Sequence, residues 1–242
     1  MRIALLGGAG RMGQAIKALA DCDDFAGPTT GTVEGTDVLI DFSSPEGTVE
    51  AARYCQSKEL PLVTGTTGLD DGQQAVIRDA AETIPVVQSG NMSLGVTLLR
   101  RLVAEASAAL PDFDIEILET HHRHKKDSPS GTALLLGEAA ARARGTALSE
   151  KARFARHGRH DQRHADEIGF AVRRGGGVYG EHEVAFMSEG ETVTLGHQAL
   201  SRDAFARGAL TAARWIIGRP PGLYTMDDVL GFSAAADTAD AG

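Results

Sequence analysis

Short apolar runs alternate with stretches of helical periodicity through the first part of the chain. The spacing predicts strands at residues 1–6, 37–42, 61–64 and 84–88, with helices at 14–20, 45–58 and 70–83 between them. Strand and helix in strict alternation are the signature of a parallel, doubly wound α/β sheet of Rossmann type. After Asn91 the pattern changes: a helix over 94–110, a strand over 113–119, a helix over 133–144, then strands at 167–174, 180–187 and 191–197. The glycine-rich breaks Arg174-Gly175-Gly176-Gly177 and Ser188-Glu189-Gly190 separate those strands. Such spacing predicts a mixed or antiparallel sheet in a second, α+β domain. Residues 153–166 read as polar and irregular, with His157, His160 and His164 as solvated loop histidines. A last helix over 203–218 has an apolar stripe, Phe205, Leu210, Trp215 and Ile216, that returns the chain to the first core. The expected organisation is a dinucleotide-binding domain at 1–92 and 204–232, a substrate-binding and oligomerisation domain at 93–203, and a flexible tail rich in Ala and Asp at 233–242.

The first strand opens directly into Gly7-Gly8-Ala9-Gly10-Arg11-Met12-Gly13. Gly8, Gly10 and Gly13 have the G-x-G-x-x-G spacing, in the strand-turn-helix setting a dinucleotide fingerprint requires. Three more loops fall at the carboxyl ends of predicted strands, where ligands collect in such sheets. They are Ser43-Ser44-Pro45, Gly65-Thr66-Thr67-Gly68 and Ser89-Gly90-Asn91-Met92, all small and polar. A ribose-binding acid is expected about 20 residues past the fingerprint. Residues 25–36 there are short, rich in Gly and Thr and broken by Pro28; Glu34 stands at about the right distance with no convincing strand before it. NADH and NADPH therefore both remain open as cofactors.

Composition narrows the classes. A chain of 242 residues, 42% hydrophobic, can bury one large core or two modest ones. A net charge of −9 argues against nucleic-acid and membrane-surface binding. No apolar run approaches the roughly 20 residues of a membrane span, and the first residues read as a strand rather than a signal peptide. Cys22 and Cys55 match no metal or redox spacing and suggest reduced thiols in a cytoplasmic protein.

Against that acidic background residues 121–126 stand out: His121, His122, Arg123, His124, Lys125 and Lys126 in succession. These groups repel one another when charged, so gathering them suits an anionic substrate or a proton-transfer step. Ser130-Gly131-Thr132 follows at the start of a predicted helix, whose free N–H groups bind oxyanions such as carboxylates. A metal site is not expected, because His121 and His124 lack further ligands at matching spacing and the neighbouring cations oppose a dication.

The block from Glu119 to Ala133, Glu-Thr-His-His-Arg-His-Lys-Lys-Asp-Ser-Pro-Ser-Gly-Thr-Ala, resembles the signature of dihydrodipicolinate reductases, also called 4-hydroxy-tetrahydrodipicolinate reductases, of bacterial lysine and diaminopimelate synthesis. The resemblance extends to Gly7 through Gly13, Asp41-Phe42-Ser43-Ser44-Pro45, the Gly65 and Asn91 loops, Gly180-Glu181-His182 and Ser201-Arg202-Asp203-Ala204-Phe205. The chain departs from the family at Met92, where a Phe is usual, and in the shortened 25–36 segment. The resemblance implies an NADH- or NADPH-dependent reductase of a cyclic imine dicarboxylate. His121 would donate the proton and Lys125 assist; His122, Ser130, Gly131 and Thr132 would hold a carboxylate. Gly7, Gly8, Ala9, Gly10, Arg11, Met12, Gly65, Thr66, Thr67, Ser89, Gly90, Asn91 and Met92 would line the nucleotide. It also implies a homotetramer built on the second domain's sheet. A reductase of another small imine or keto acid, and a non-catalytic nucleotide sensor, are the rival readings.

Overall fold

The computed structural model describes residues 1–24, 35–159 and 162–232. Glu34, His160 and the 233–242 tail lie outside the described residues. In chain order the elements are β1 (Ile3–Leu6), α1 (Arg11–Lys17), β2 (Cys22–Asp24), β3 (Val38–Asp41), α2 (Pro45–Lys58), β4 (Leu62–Thr64), α3 (Asp71–Ala81), β5 (Pro85–Gln88), α4 (Leu94–Ala109) and β6 (Asp114–His121). They continue with α5 (Gly131–Ala143), α6 (Leu148–Lys151), β7 (Ala152–Arg153), β8 (Ile168–Arg174), β9 (Gly180–Met187), β10 (Thr192–Ala199), α7 (Asp203–Ile216), β11 (Gly222–Tyr224) and α8 (Met226–Val229). The chain divides into two compact units, one of residues up to Leu94 with those from Arg202, the other Gly95–Ser201.

In the first unit the strands form an all-parallel sheet in the order β11-β5-β4-β3-β1-β2. Strand period two sends Ile3, Leu5, Val38, Ile40, Val63 and Val87 to one face, against Ile16 of α1 and Ala206, Ala209, Leu210, Ala213 and Ile216 of α7. Ala4, Leu39, Leu62 and Val86 go to the other, against Ala51, Ala52 and Cys55 of α2 and Ile77 and Ala80 of α3. Cover on both faces is why these strands read as continuous apolar runs. Each fully buried Leu or Ile, such as Leu5 or Ile40, contributes roughly 1.5–3 kcal/mol. On α7 the inward positions 206, 209, 210, 213 and 216 follow helical spacing, and a Cβ at Gly208 would strike the Met92 carbonyl oxygen, so the helix seats directly on that backbone.

Local signals place the helix ends. Pro45 opens α2 behind Ser44, whose Oγ accepts the Gly47 N–H at 3.2 Å, and the helix stops at Glu59 in the left-handed region (φ 54°). Asp70 and Gln73 form a reciprocal capping box at α3, with bonds of 2.8 and 2.9 Å.

The second sheet runs β10-β9-β6-β8-β7. It is mixed: β6, β8 and β7 are parallel, while β9 is antiparallel to both β6 and β10. Helices α4 and α5 cover one face through Leu99, Val103, Leu136 and Ala140, packed on Ile115, Ile117, Ile168, Phe170, Val184 and Phe186.

Four features differ from the sequence expectation. The second strand, Cys22–Asp24, comes earlier than the segment searched for it and is short and polar. Strand β6 runs two residues further than expected, so His121 ends a strand rather than beginning a loop. The irregular stretch begins with the one-turn α6 and the two-residue β7. A sixth parallel strand, β11, follows Pro220-Pro221. No helix among the described residues is long and apolar enough to cross a membrane.

Candidate active site

The strand order of the first sheet reverses between β1 and β3, which opens a crevice at their carboxyl ends. The glycine loop turns there. Gly7 has φ +81° and lies so close to the chain after β3 that a Cβ would strike the Phe42 carbonyl oxygen; a Cβ on Gly13 would strike Gly7 O and Gly8 Cα. The Gly10 N–H donates to Gly7 O at 2.9 Å, and Gln14 Nε2 donates to Gly8 O at 2.8 Å. Helix α1 starts at Gly10 without a side-chain cap, whereas Ser44, Asp70 and Ser130 cap α2, α3 and α5. An uncapped first turn beside exposed Ala9, Gly10 and Arg11, with Gly8 buried behind it and Gly7 and Met12 half-buried, is a cradle fitted to an oxyanion such as a dinucleotide pyrophosphate.

Asp41, wholly buried at the end of β3, organises the neighbouring loops. Its Oδ1 accepts Ser43 N–H (3.0 Å) and Oγ–H (2.5 Å); its Oδ2 accepts the hydroxyls of Thr48 (2.5 Å), Thr64 (2.8 Å) and Thr66 (3.0 Å). The Thr66 hydroxyl is thus turned inward, leaving Thr67 exposed and Gly65 half-buried against the Phe42 ring. In the third loop Ser89 Oγ donates to Asn91 O at 2.8 Å, and Asn91 Oδ1 accepts Ser93 N–H at 2.9 Å, while Gly90 is exposed. Met92 lies in the same loop and is 2% exposed, with its side chain in the core among the α7 residues, so it can offer a ligand only its backbone.

In the second unit, β6 alternates, and its inward positions are Ile115, Ile117, Glu119 and His121. The strand therefore carries its apolar row straight into an acid and an imidazole. Glu119 Oε2 lies 2.7 Å from His121 Nδ1, and Arg174, at the end of β8, donates to both carboxylate oxygens at 2.7 Å. The Ser130 N–H adds a fourth bond to Oε1 at 2.9 Å. Burial alone would raise the Glu119 pKa, but the bonds from Arg174, His121 and Ser130 outweigh it and hold the carboxyl below its usual range. His121 is pulled below the ordinary histidine value by burial first; bonding to Glu119 pulls the other way, and Lys125 and Arg174 add to the depression. His182 of β9 meets His121 edge to face at 5.1 Å, and burial pushes its pKa down to about 3.

The loop after β6 is tied down by backbone. His122 N–H donates to Val178 O (2.7 Å), Arg123 N–H to Gly176 O (3.3 Å), and Gly175 N–H to His121 O (3.0 Å). Lys125 Nζ pairs with Asp127 at 2.9 Å and is partly buried; Arg123, His124 and Lys126 are exposed. The buried Nδ1 of His122 has no hydrogen-bond partner among the described residues. Gly131 is exposed with open space where a Cβ would be, and Thr132 beside it is half-buried. Ser130 is 1% exposed; its Oγ bonds His182 Nε2 at 2.9 Å and accepts Ala133 N–H at 3.2 Å, so it caps α5. His157 and His164 are exposed on the segment before β8 and join no part of this cluster.

The sequence reading named His121, Lys125, His122, Ser130, Gly131 and Thr132, which the loop and helix α5 gather in one region. It gave no role to Glu119, Arg174, His182 or Asp41. Glu119 had a signal, an acid two residues before His121 and so on the same strand face. Arg174 and His182 lie 55 and 52 residues from their partners Glu119 and Ser130, and no spacing rule reaches them.

Residues 25–92 match the family model described as dihydrodipicolinate reductase, N-terminus, and residues 95–230 the one described as dihydrodipicolinate reductase, C-terminus. A 4-hydroxy-tetrahydrodipicolinate reductase of Zymomonas mobilis is 46% identical over 247 residues, covering 96% of this chain and 97% of that protein. One from Caulobacter vibrioides is 46% identical over 251 residues, covering 96% and 98%. Among solved structures, a dipicolinate-bound dihydrodipicolinate reductase from Paenisporosarcina sp. TG-14 superposes with a TM-score of 0.75 at 22% identity, over 93% of this chain and 97% of that one, a likeness of fold. On the two family models and these near-full-length relatives, the chain belongs to the dihydrodipicolinate reductase family.

Proposed function

We propose that this chain reduces 4-hydroxy-tetrahydrodipicolinate to tetrahydrodipicolinate with NADH or NADPH, in lysine and diaminopimelate synthesis. The observation that carries the reading is the seating of His121 at the end of β6, bonded to Glu119 and one tied loop away from the Ser130-capped first turn of α5. Loss of the substrate's hydroxyl leaves a conjugated imine that accepts a hydride at carbon 4. The nicotinamide supplies that hydride when bound. The glycine loop from Gly7 to Met12, with Gly65 to Thr67 and Ser89 to Met92, holds the nucleotide.

His121 gives a proton to the enamine that results and is reprotonated from solvent. Lys125 supports that step as a nearby cation, its ammonium steadied by Asp127. His122, Gly131 and Thr132 receive a substrate carboxylate at the N-terminus of α5, and Ser130 sets the shape of that cradle as its cap. Exposed Arg123 and Lys126 draw dianions toward the loop on an otherwise acidic protein. The protein works as a homotetramer in the cytoplasm, a setting that suits cysteines kept as thiols. The test is an assay in which a dihydrodipicolinate synthase generates the substrate in place and oxidation of NADH or NADPH is followed. Oxidation that requires both synthase and this chain supports the reading; oxidation independent of the synthase product contradicts it.

A further inference from the structure

We propose that Glu119 is the positioning residue of His121: clamped by Arg174, its carboxylate holds the imidazole with the proton on Nδ1 and leaves Nε2 as the atom that delivers a proton to substrate. This rests on the reductase reading of the site. The geometry is over-determined. Glu119 is wholly buried, and all four of its close contacts are made by donors or by the imidazole: two Arg174 N–H groups, the Ser130 N–H and His121 Nδ1. An ionised carboxylate only accepts hydrogen bonds, so the ring nitrogen facing it carries hydrogen. The fork of Arg174 fixes the plane of the carboxylate, and the backbone amide of Ser130 fixes its rotation.

The other ring nitrogen faces the backbone of Gly180. A Cβ there would lie 2.9 Å from His121 Nε2, so glycine at the start of β9 leaves that nitrogen uncrowded. His182 packs edge-on against the ring and holds its tilt.

The charged and titratable groups facing His121 are Glu119 on β6, Arg174 on β8, His182 on β9 and Lys125 in the following loop. Burial, Lys125 and Arg174 all disfavour the imidazolium, and Glu119 alone among them favours it. With Glu119 neutralised, the ring would rarely hold the second proton that the reaction draws on. The pairing follows the acid-imidazole logic of hydrolase triads, where the acid orients the ring and stabilises its cation without itself taking the proton. Glu119 touches no substrate in this account; it acts through His121.

Two readouts test the assignment. Nitrogen NMR of the His121 ring in the intact, unaltered protein, above the histidine's own pKa, should show the Nδ1–H tautomer. In Glu119→Gln we expect kcat to fall roughly 10²-fold with KM for the substrate little changed. The limb of the kcat profile that falls with rising pH should move to lower pH, and Glu119→Asp should move it part of the way back. An Nε2–H tautomer in the unaltered protein overturns the proposal, whatever the variants do. So does a folded Glu119→Gln protein with unchanged kcat and an unmoved limb. Because the tautomer is read without substrate, a failure of the reductase assignment is told apart from a failure of this one.

Discussion

His182 on β9 and Ser130 at the start of α5 are joined across 52 residues of chain by a 2.9 Å contact between ring Nε2 and hydroxyl Oγ. The contact fastens the cap of α5 to the sheet. At Nε2 the buried ring meets a neutral partner that can donate to it, while its buried Nδ1 has no hydrogen-bond partner among the described residues, and burial keeps the ring uncharged.

The cost of that burial predicts a pH dependence of stability. His182 has a pKa of about 3 in the folded protein against an ordinary 6.5. Between those values the unfolded chain binds a proton that the folded chain does not, so stability is complete above the upper value and falls as pH drops through the window. The slope from this one group reaches about 1.4 kcal/mol per pH unit. Urea unfolding of the unaltered protein and of His182→Gln between pH 7 and 4 should show a shallower decline in the variant. Equal slopes would mean that His182 already takes up a proton while folded.

His121→Ala and Lys125→Ala should each lower turnover by about 10² to 10³-fold while nucleotide binding is nearly retained. Steady-state rates together with a fluorescence titration of NADH separate the two effects. Near-normal turnover in both variants removes these residues from the chemistry.

The glycine loop predicts a graded series. A methyl group on Gly13 meets the backbone of Gly7 and Gly8, whereas one on Gly10 lies 3.2 Å from Gly7 O. Gly13→Ala should therefore weaken NADH binding far more than Gly10→Ala, at comparable melting temperature of the second unit. Nucleotide titration of both proteins decides it, and the reverse order would place the dinucleotide somewhere other than on this turn.

Asp41→Asn should cost about 1–3 kcal/mol of stability, because an amide offers N–H groups to hydroxyls that now donate. Five donors converge on the present carboxylate. Chemical denaturation measures the loss. A neutral result would show that Ser43 and the three threonines rearrange freely around an uncharged side chain.

The parts of this molecule legible in the sequence are those fixed by local physics. Val38-Leu39-Ile40 announces a strand because both of its faces are buried, and Ser44-Pro45 announces the start of α2 because the cap and the fixed φ are local. Cys22–Asp24 escapes notice, being three residues long with two acids and held by pairing to β1 rather than by its own apolar pattern. Tyr224 and its short strand β11 exist through pairing with β5 in the same way. Within the site, His121 and Lys125 are visible as residue types in an unusual run. Arg174 is not: its meaning comes from the parallel register that sets His121 opposite it, which only the folded sheet supplies.

Reduction with a nicotinamide cofactor carrying deuterium at both positions of ring carbon 4 tests the central claim most directly. With synthase-generated substrate, the account predicts tetrahydrodipicolinate carrying one deuterium at carbon 4 for each cofactor oxidised, seen by mass spectrometry of the product. Cofactor oxidised without label reaching that carbon, or no oxidation by a folded protein that binds the nucleotide, would contradict it.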